Sequence, residues 1–275
     1  MQRLLTAAVA TPIVLLALFY LPGWWFFAFI AVLVDLAAYE YLAIVRPKAP
    51  HAPLRLLLVL APLAAYAISY ALRDSTDALD MRLHLLAGAL VMSVGLGTLL
   101  LVSRTPLEET LPALGILAFG IPYFALTISS LHRLKEIDPW IVFLLMAIVW
   151  LGDTAAYYIG SRWGRHKLAP TISPKKSWEG AAAGLATSLI AAVVWSAWRL
   201  GRLDLGILGI SGVTAIAGQI GDLVESMIKR GAGVKDSGHV LPGHGGFLDR
   251  IDAMLFAAPV LLFCLWLLQL EAVPR

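Results

Sequence analysis

Asp222, Glu225, Ser226 and Lys229 stand at i, i+3, i+4 and i+7, so a helix carries all four on one stripe. Two carboxylates, a hydroxyl and an ammonium make a poor surface to press against lipid. They suit a hard divalent cation such as Mg2+, which takes oxygen ligands and keeps part of its water. The run Lys229-Arg230-Gly231-Ala232-Gly233-Val234-Lys235-Asp236 follows, mixing cations with glycines as a phosphate-gripping segment would. Next comes Pro242-Gly243-His244-Gly245-Gly246-Phe247-Leu248-Asp249-Arg250-Ile251-Asp252. Its glycines permit close backbone approach, or a positive φ, beside a ligand. Helix capping would explain one of Asp249 and Asp252. The two together, three apart at a membrane boundary and flanking Arg250, favour a site. With Asp222 they supply three carboxylates for one or two metal ions. His239 and His244 form no zinc site, since neither has a cysteine partner or a second histidine at helical spacing. Each reads as a phosphate contact or a solvated loop residue.

A second polar stretch reads Ser161-Arg162-Trp163-Gly164-Arg165-His166-Lys167-Leu168 and then Ile172-Ser173-Pro174-Lys175-Lys176-Ser177-Trp178-Glu179-Gly180. A basic patch beside a membrane helix ordinarily attracts anionic headgroups and nothing more. Here its cations sit among prolines, serines and glycines, and Asp153 leads into it from an apolar stretch. Paired with an acidic cluster, it favours a phosphorylated substrate. Neither the Walker A spacing nor a dinucleotide-binding glycine pattern occurs.

The elements that must position these residues are membrane helices. Of the 275 residues 60% are hydrophobic and 14% charged, with a mean hydropathy of +0.81. A soluble domain has about half apolar and a quarter charged residues. Nine stretches are long enough to span a hydrocarbon core as helices, near 4–22, 24–45, 54–72, 83–103, 111–131, 139–160, 178–199, 203–228 and 252–270. The fold class expected is therefore an all-α integral membrane protein of about nine transmembrane helices. The N-terminal apolar run lacks a small-residue cleavage site and reads as a retained first anchor. Lys and Arg divide about two to one in favour of the face carrying Arg3 and both polar loops, which puts the N-terminus in the cytoplasm. Both loops then share the cytoplasmic face and can build one site. Residues 1–135 read as N-terminal transmembrane helices and 136–275 as the catalytic transmembrane region.

Gly180 with Gly184, and the series Gly206, Gly209, Gly212, Gly218 and Gly221, read as helix-packing devices. Asp35 and Glu40 in the second span fit a buried polar contact as well as a site. The single cysteine, Cys264, reads as a small core residue. No basic run is interleaved with aromatics as single-strand binders need, so nucleic acid is not an expected partner.

The segment Ser226 to Asp252, with Ser226, Lys229-Arg230, Lys235-Asp236, His244-Gly245-Gly246, Asp249-Arg250 and Asp252, resembles the signature of the phosphatidate cytidylyltransferase (CDP-diacylglycerol synthase) family. The block from Gly152-Asp153 through Ser173-Pro174-Lys175-Lys176-Ser177-Trp178-Glu179-Gly180 is similar to it too, so the resemblance covers about residues 145–270. It implies transfer of the cytidylyl group of CTP to phosphatidic acid, with Mg2+ helped by a monovalent cation such as K+. Carried onto this chain, the metal ligands are Asp222, Ser226, Asp249 and Asp252. Asp222, Asp249, Lys229 and Arg230 are the catalytic group. Asp153, Lys167, Ser173, Lys175, Lys176, Lys235, His244, Gly245, Gly246 and Arg250 are the substrate contacts. A homodimer in the bacterial cytoplasmic membrane, with membrane lipids around it and the site facing the cytoplasm, is implied as well. The rivals are another CTP-dependent lipid kinase or cytidylyltransferase, and an ion or solute transporter using Asp35, Glu40, Asp153 and Asp222 as a relay. A transporter predicts acidic residues near mid-membrane, whereas these crowd one edge.

Overall fold

A computed structural model describes residues 2–45, 107–238 and 245–268. Among them the chain forms helices α1 (Gln2–Tyr20), α2 (Gly23–Val45), α3 (Leu107–Ile137) and α4 (Pro139–Trp163). Strands β1 (Lys167–Ala169) and β2 (Ser173–Ser177) follow, then helices α5 (Trp178–Leu200), α6 (Leu205–Gly231) and α7 (Leu248–Leu267). Helices α2, α4, α5, α6 and α7 are long and apolar enough to cross a membrane. At 1.5 Å per residue their 20 to 27 residues reach about 30–40 Å. The chain is an integral membrane protein, mostly helical. The expected spans 54–72 and 83–103 lie outside the described residues.

The all-α expectation needs one amendment. The stretch 161–177 is not a plain loop: α4 continues to Trp163, and β1 and β2 pair antiparallel, Lys167 opposite Ser177 and Ala169 opposite Ser173. Backbone groups that leave a helix must find partners, and the hairpin supplies them. The last helix also begins four residues before the expected 252. Leu248 is buried there and its N–H is already bonded, so both Asp249 and Asp252 ride inside α7.

Local chemistry sets the other boundaries. Asp138 caps α4 by accepting from Trp140 N at 2.9 Å, with Pro139 opening the helix. Ser177 caps α5 through Gly180 N, and Asp204 caps α6 through Ile207 N. Gly201, at φ +65°, ends α5 in the left-handed conformation that glycine tolerates. Asp138 also accepts from Arg199 Nη2 at 2.9 Å, and Trp195 Nε1 donates to Trp140 O at 3.0 Å. The start of α4 and the end of α5 are thereby pinned together.

The central side chains come from α2, α3, α4 and α7: Phe124, Ile128, Leu145, Ile148 and Leu261 are buried almost completely. Ile190, Val194 and Trp198 are exposed at helical spacing on α5, an outer stripe suited to lipid. The α4–α5 contact depends on small residues. A Cβ at Gly180 would lie 2.7 Å from Ala156 O, and one at Gly184 would lie 2.9 Å from Gly152 O. On α6 only part of the expected glycine series does such work. A Cβ at Gly221 would meet Asp252 O at 2.8 Å, whereas one at Gly209 would meet nothing within 4 Å. Thr127 Oγ1 lies 3.0 Å from Leu255 O, tying α3 to α7.

Candidate active site

Helix α6 is unbroken to Gly231, so the stripe of Asp222, Glu225, Ser226 and Lys229 exists as its spacing requires. Two of its members reach other elements, and a third pairs within the helix. Asp222 Oδ2 lies 2.5 Å from Lys176 Nζ, near the end of β2. Glu225 is fully buried, and its Oε2 lies 2.5 Å from Lys229 Nζ. The same ammonium donates to Asp249 Oδ1 of α7 at 2.6 Å. Ser226 is half-buried in the same helix. Gly221, by letting α6 approach the Asp252 backbone, sets the spacing between the two acidic helices.

Asp252 feels the charges of Asp222, Glu225 and Asp153, and Asp153 on α4 feels those of Asp222 and Lys176. Five carboxylates thus share one region with two ammonium groups, Lys176 and Lys229. Such an excess of negative oxygen donors beside lipid suits a hard cation. The donor set fits Mg2+ in kind. Among the described residues, however, no three Asp, Glu, His or Cys side chains converge on one ligation point. The lysines hold the carboxylates instead: Lys176 takes Asp222, and Lys229 takes Glu225 and Asp249.

The two polar loops meet. Besides the Lys176–Asp222 pair, Arg230 Nε donates to Ile172 O at the hairpin tip, at 3.3 Å, and its Nη1 donates to Val234 O at 3.1 Å. Lys167, Lys175 and Lys235 are exposed around this junction, and Ser173 is half-buried at the start of β2. His166 Nδ1 lies 2.7 Å from Glu179 Oε1, which fastens the hairpin to α5. Arg250 is exposed on α7. His244 and His239 lie outside the described residues.

Asp249 carries more than a ligand's load. Its Oδ2 accepts from Gly246 N at 2.9 Å and from Ser237 N at 3.1 Å. Gly245 adopts φ +77°, a left-handed conformation that favours glycine. Gly246 is held close by the protein itself, for a Cβ there would lie 1.8 Å from Ser237 Oγ and 2.6 Å from Glu40 Oε2. The expected close approach at this glycine is to Ser237 and Glu40.

Glu225, expected on the stripe, proves to be its most buried member. Two residues outside the expected ligand and substrate set lie beside it. Tyr123 on α3 has a buried hydroxyl with no hydrogen-bond partner among the described residues, in the field of Asp252, Glu225 and Asp222. Glu40 on α2 is buried, and its Oε2 accepts from Ser237 Oγ at 3.0 Å and Leu248 N at 2.8 Å. A carboxylate in an apolar span signals Glu40, as it does Asp35, but no spacing rule connects position 40 with 237 or 248.

The model of the cytidylyltransferase family matches residues 1–268. The chain is similar to the phosphatidate cytidylyltransferase of Bacillus subtilis (strain 168), 30% identical over 270 residues, covering 96% of this chain and 97% of that one. It is 34% identical over 281 residues to the phosphatidate cytidylyltransferase of Haemophilus influenzae, covering 94% and 96%. A third, from Staphylococcus haemolyticus, is 42% identical over 153 residues, covering 55% and 56%. Matched almost from end to end, this chain, whose acidic helices and basic hairpin meet, belongs to the cytidylyltransferase family.

Proposed function

We propose that the protein is a phosphatidate cytidylyltransferase: it transfers the cytidylyl group of CTP to phosphatidic acid, giving CDP-diacylglycerol and pyrophosphate. The observation that carries this reading is the near full-length similarity to two enzymes of that name. The acidic cluster beneath a cationic hairpin supports it, as does the apolar helix bundle, which offers a lipid substrate its own solvent.

An oxygen of the phosphatidic acid phosphate attacks the α-phosphorus of CTP. The bond from that phosphorus to the bridging oxygen of the β-phosphate breaks, and its electron pair leaves with pyrophosphate. The attacking group is a phosphate monoester with a second pKa of about 6, largely dianionic near neutrality, so no side chain must remove a proton. We therefore give His244 no such role. Positioning and charge neutralisation then account for most of the acceleration. Lys175, Lys235 and Arg230, exposed around the junction of the two loops, are suited to hold the triphosphate and the lipid phosphate, with Lys167, Ser173, Gly245, Gly246 and Arg250 nearby in the chain. Lys176 and Lys229 balance the carboxylates and keep their helices from repelling one another. Asp222, Ser226, Asp249 and Asp252 would hold Mg2+, with a monovalent cation such as K+ beside it. When bound, the metal would neutralise charge on the reacting phosphates and on the departing pyrophosphate. Asp153, a candidate substrate contact, stands where α4 meets this cluster.

The same reading takes the chain as nine spans with the N-terminus in the cytoplasm, working as a homodimer in the bacterial cytoplasmic membrane with its site facing inward. The test incubates purified protein in detergent micelles with labelled CTP, phosphatidic acid and Mg2+. Labelled CDP-diacylglycerol is expected, and chelation of Mg2+ is expected to abolish it. Absence of product beside an active control enzyme overturns the reading.

A further inference from the structure

Tyr123 on α3 carries its hydroxyl into the interior, where it is 7% exposed and has no hydrogen-bond partner among the described residues. Its ring is hemmed in by Phe119, Phe124 and Phe256, with centroids 5.0, 5.0 and 5.5 Å away. One turn on, Thr127 Oγ1 lies 3.0 Å from Leu255 O, so this part of α3 is fixed against α7. The ring is therefore not free to carry its hydroxyl to another acceptor. Phe256 lies one turn past Asp252. A Cβ at Gly221 would meet both Asp252 O, at 2.8 Å, and Phe256 Cβ, at 3.1 Å. The phenol thus stands beside the contact of the two acidic helices, in the field of Asp252, Glu225 and Asp222. Lys176 takes Asp222, and Lys229 takes Glu225 and Asp249, so neither ammonium group pairs with Asp252. Tyr41 on α2 makes the contrast. It is buried too and packs edge-on against Phe124 at 5.7 Å, but its hydroxyl donates to Ile116 O at 3.0 Å.

We infer that Tyr123 is a positioning residue, whose hydroxyl donates to a water of a hydrated divalent cation held at Asp252. The inference rests on the proposed use of Mg2+ at these carboxylates and adds a residue to it. A buried hydroxyl that bonds nothing is destabilising, and native interiors rarely keep one without a use. Mg2+ sheds its water reluctantly, so a protein grips it partly through that water. Groups that orient the shell matter nearly as much as the direct ligands. A phenol suits this role: it reaches in from a third helix and brings a donor without adding another charge to the carboxylates. The hydroxyl alone is the property required of position 123, since the aromatic contacts need only the ring.

Tyr123→Phe removes that hydroxyl and keeps the ring, and Tyr41→Phe is its control. Each purified protein is melted in micelles by tryptophan fluorescence, first with EDTA and then, EDTA removed, across a Mg2+ titration without nucleotide. In EDTA, Tyr123→Phe should melt at or above wild type, because it deletes a buried donor that bonds nothing. Tyr41→Phe should melt lower, having lost its bond to Ile116. Bound Mg2+ raises the melting temperature by mass action. The Mg2+ concentration giving half of that rise should increase by roughly ten- to a hundredfold in Tyr123→Phe, and by less than about twofold in Tyr41→Phe. With CTP and phosphatidic acid added, the Mg2+ needed for half-maximal turnover should increase in step. Turnover at saturating Mg2+ should stay within about threefold of wild type. A merely structural hydroxyl would lower the melting temperature in EDTA and leave the Mg2+ midpoint where it was. A Tyr123→Phe midpoint equal to that of wild type overturns the inference, and so does a wild-type protein whose melting ignores Mg2+. A wild-type protein that makes no CDP-diacylglycerol defeats the proposed activity, while the Mg2+ midpoints still decide the role of Tyr123.

Discussion

Replacing Lys229 with methionine separates a structural counter-ion from a cation that serves substrate. Its ammonium lies 2.5 Å from Glu225 and 2.6 Å from Asp249, and the three side chains are 12%, 1% and 11% exposed. Methionine fills similar volume but leaves two buried carboxylates without their cation. Removing one partner of a buried ion pair costs about 3–5 kcal/mol, a large share of a typical stability of about 5–15 kcal/mol. Asp249 retains its amide donors from Ser237 and Gly246, whereas Glu225 has no hydrogen-bond donor among the described residues. The cost therefore falls mainly on Glu225. Adding Glu225→Gln, which has the same shape and no charge, should recover more than half of it. At about 2–4 °C per kcal/mol for a chain approaching this size, Lys229→Met should lower Tm by on the order of 10 °C. Tryptophan fluorescence during heating in micelles reads this directly. A single variant melting within about 2 °C of wild type, or a double variant melting lower than the single, would refute the reasoning. Lys229 would then be a substrate contact alone.

Two further outcomes are expected. The Lys176–Asp222 side chains are 26% and 31% exposed, so the pair adds less than about 1 kcal/mol. Asp222→Asn should thus melt almost as wild type while CDP-diacylglycerol formation falls by at least about a hundredfold through loss of a metal-type carboxylate; retained turnover would remove Asp222 from the ligand set. Gly221→Ala should cost about 1–3 kcal/mol by overpacking against Asp252 O and should reduce activity by moving that carboxylate. Gly209→Ala, with open space around it, should be neutral or gain up to about 1 kcal/mol of helix propensity. Equal Tm shifts for the two would refute the assignment of close packing to Gly221.

Periodicity and hydropathy are local properties, and what depends on them was legible from the sequence. The membrane character follows from too little charge to cover a soluble surface. Placing Asp222, Glu225, Ser226 and Lys229 on one face needs only the 3.6-residue turn. The meeting of the two polar loops follows from counting spans between them, and Lys176–Asp222 and Arg230–Ile172 are the contacts that realise it. The hairpin at 167–177 was hidden because Lys167 to Ser177 carries no alternation of apolar and polar residues. It exists because each strand satisfies the other's backbone.

Which oxygen faces which ammonium depended on helix rotation and depth, and these are set by side chains far apart in the chain. Lys229 looks like a phosphate ligand in the linear motif, yet it pairs with Glu225 one turn earlier on α6, and packing of α6 on α7 brings Asp249 onto it as well. Gly246 looks like room for substrate, yet that room is taken by Ser237 and Glu40. By itself, the sequence determined that there is a carboxylate- and lysine-rich edge on a bundle of apolar helices. Only the tertiary structure decided that the two lysines neutralise that edge and that a carboxylate from α2 braces its glycine segment. The reason is that burial and pairing energies depend on distances between elements, which no spacing along the chain specifies.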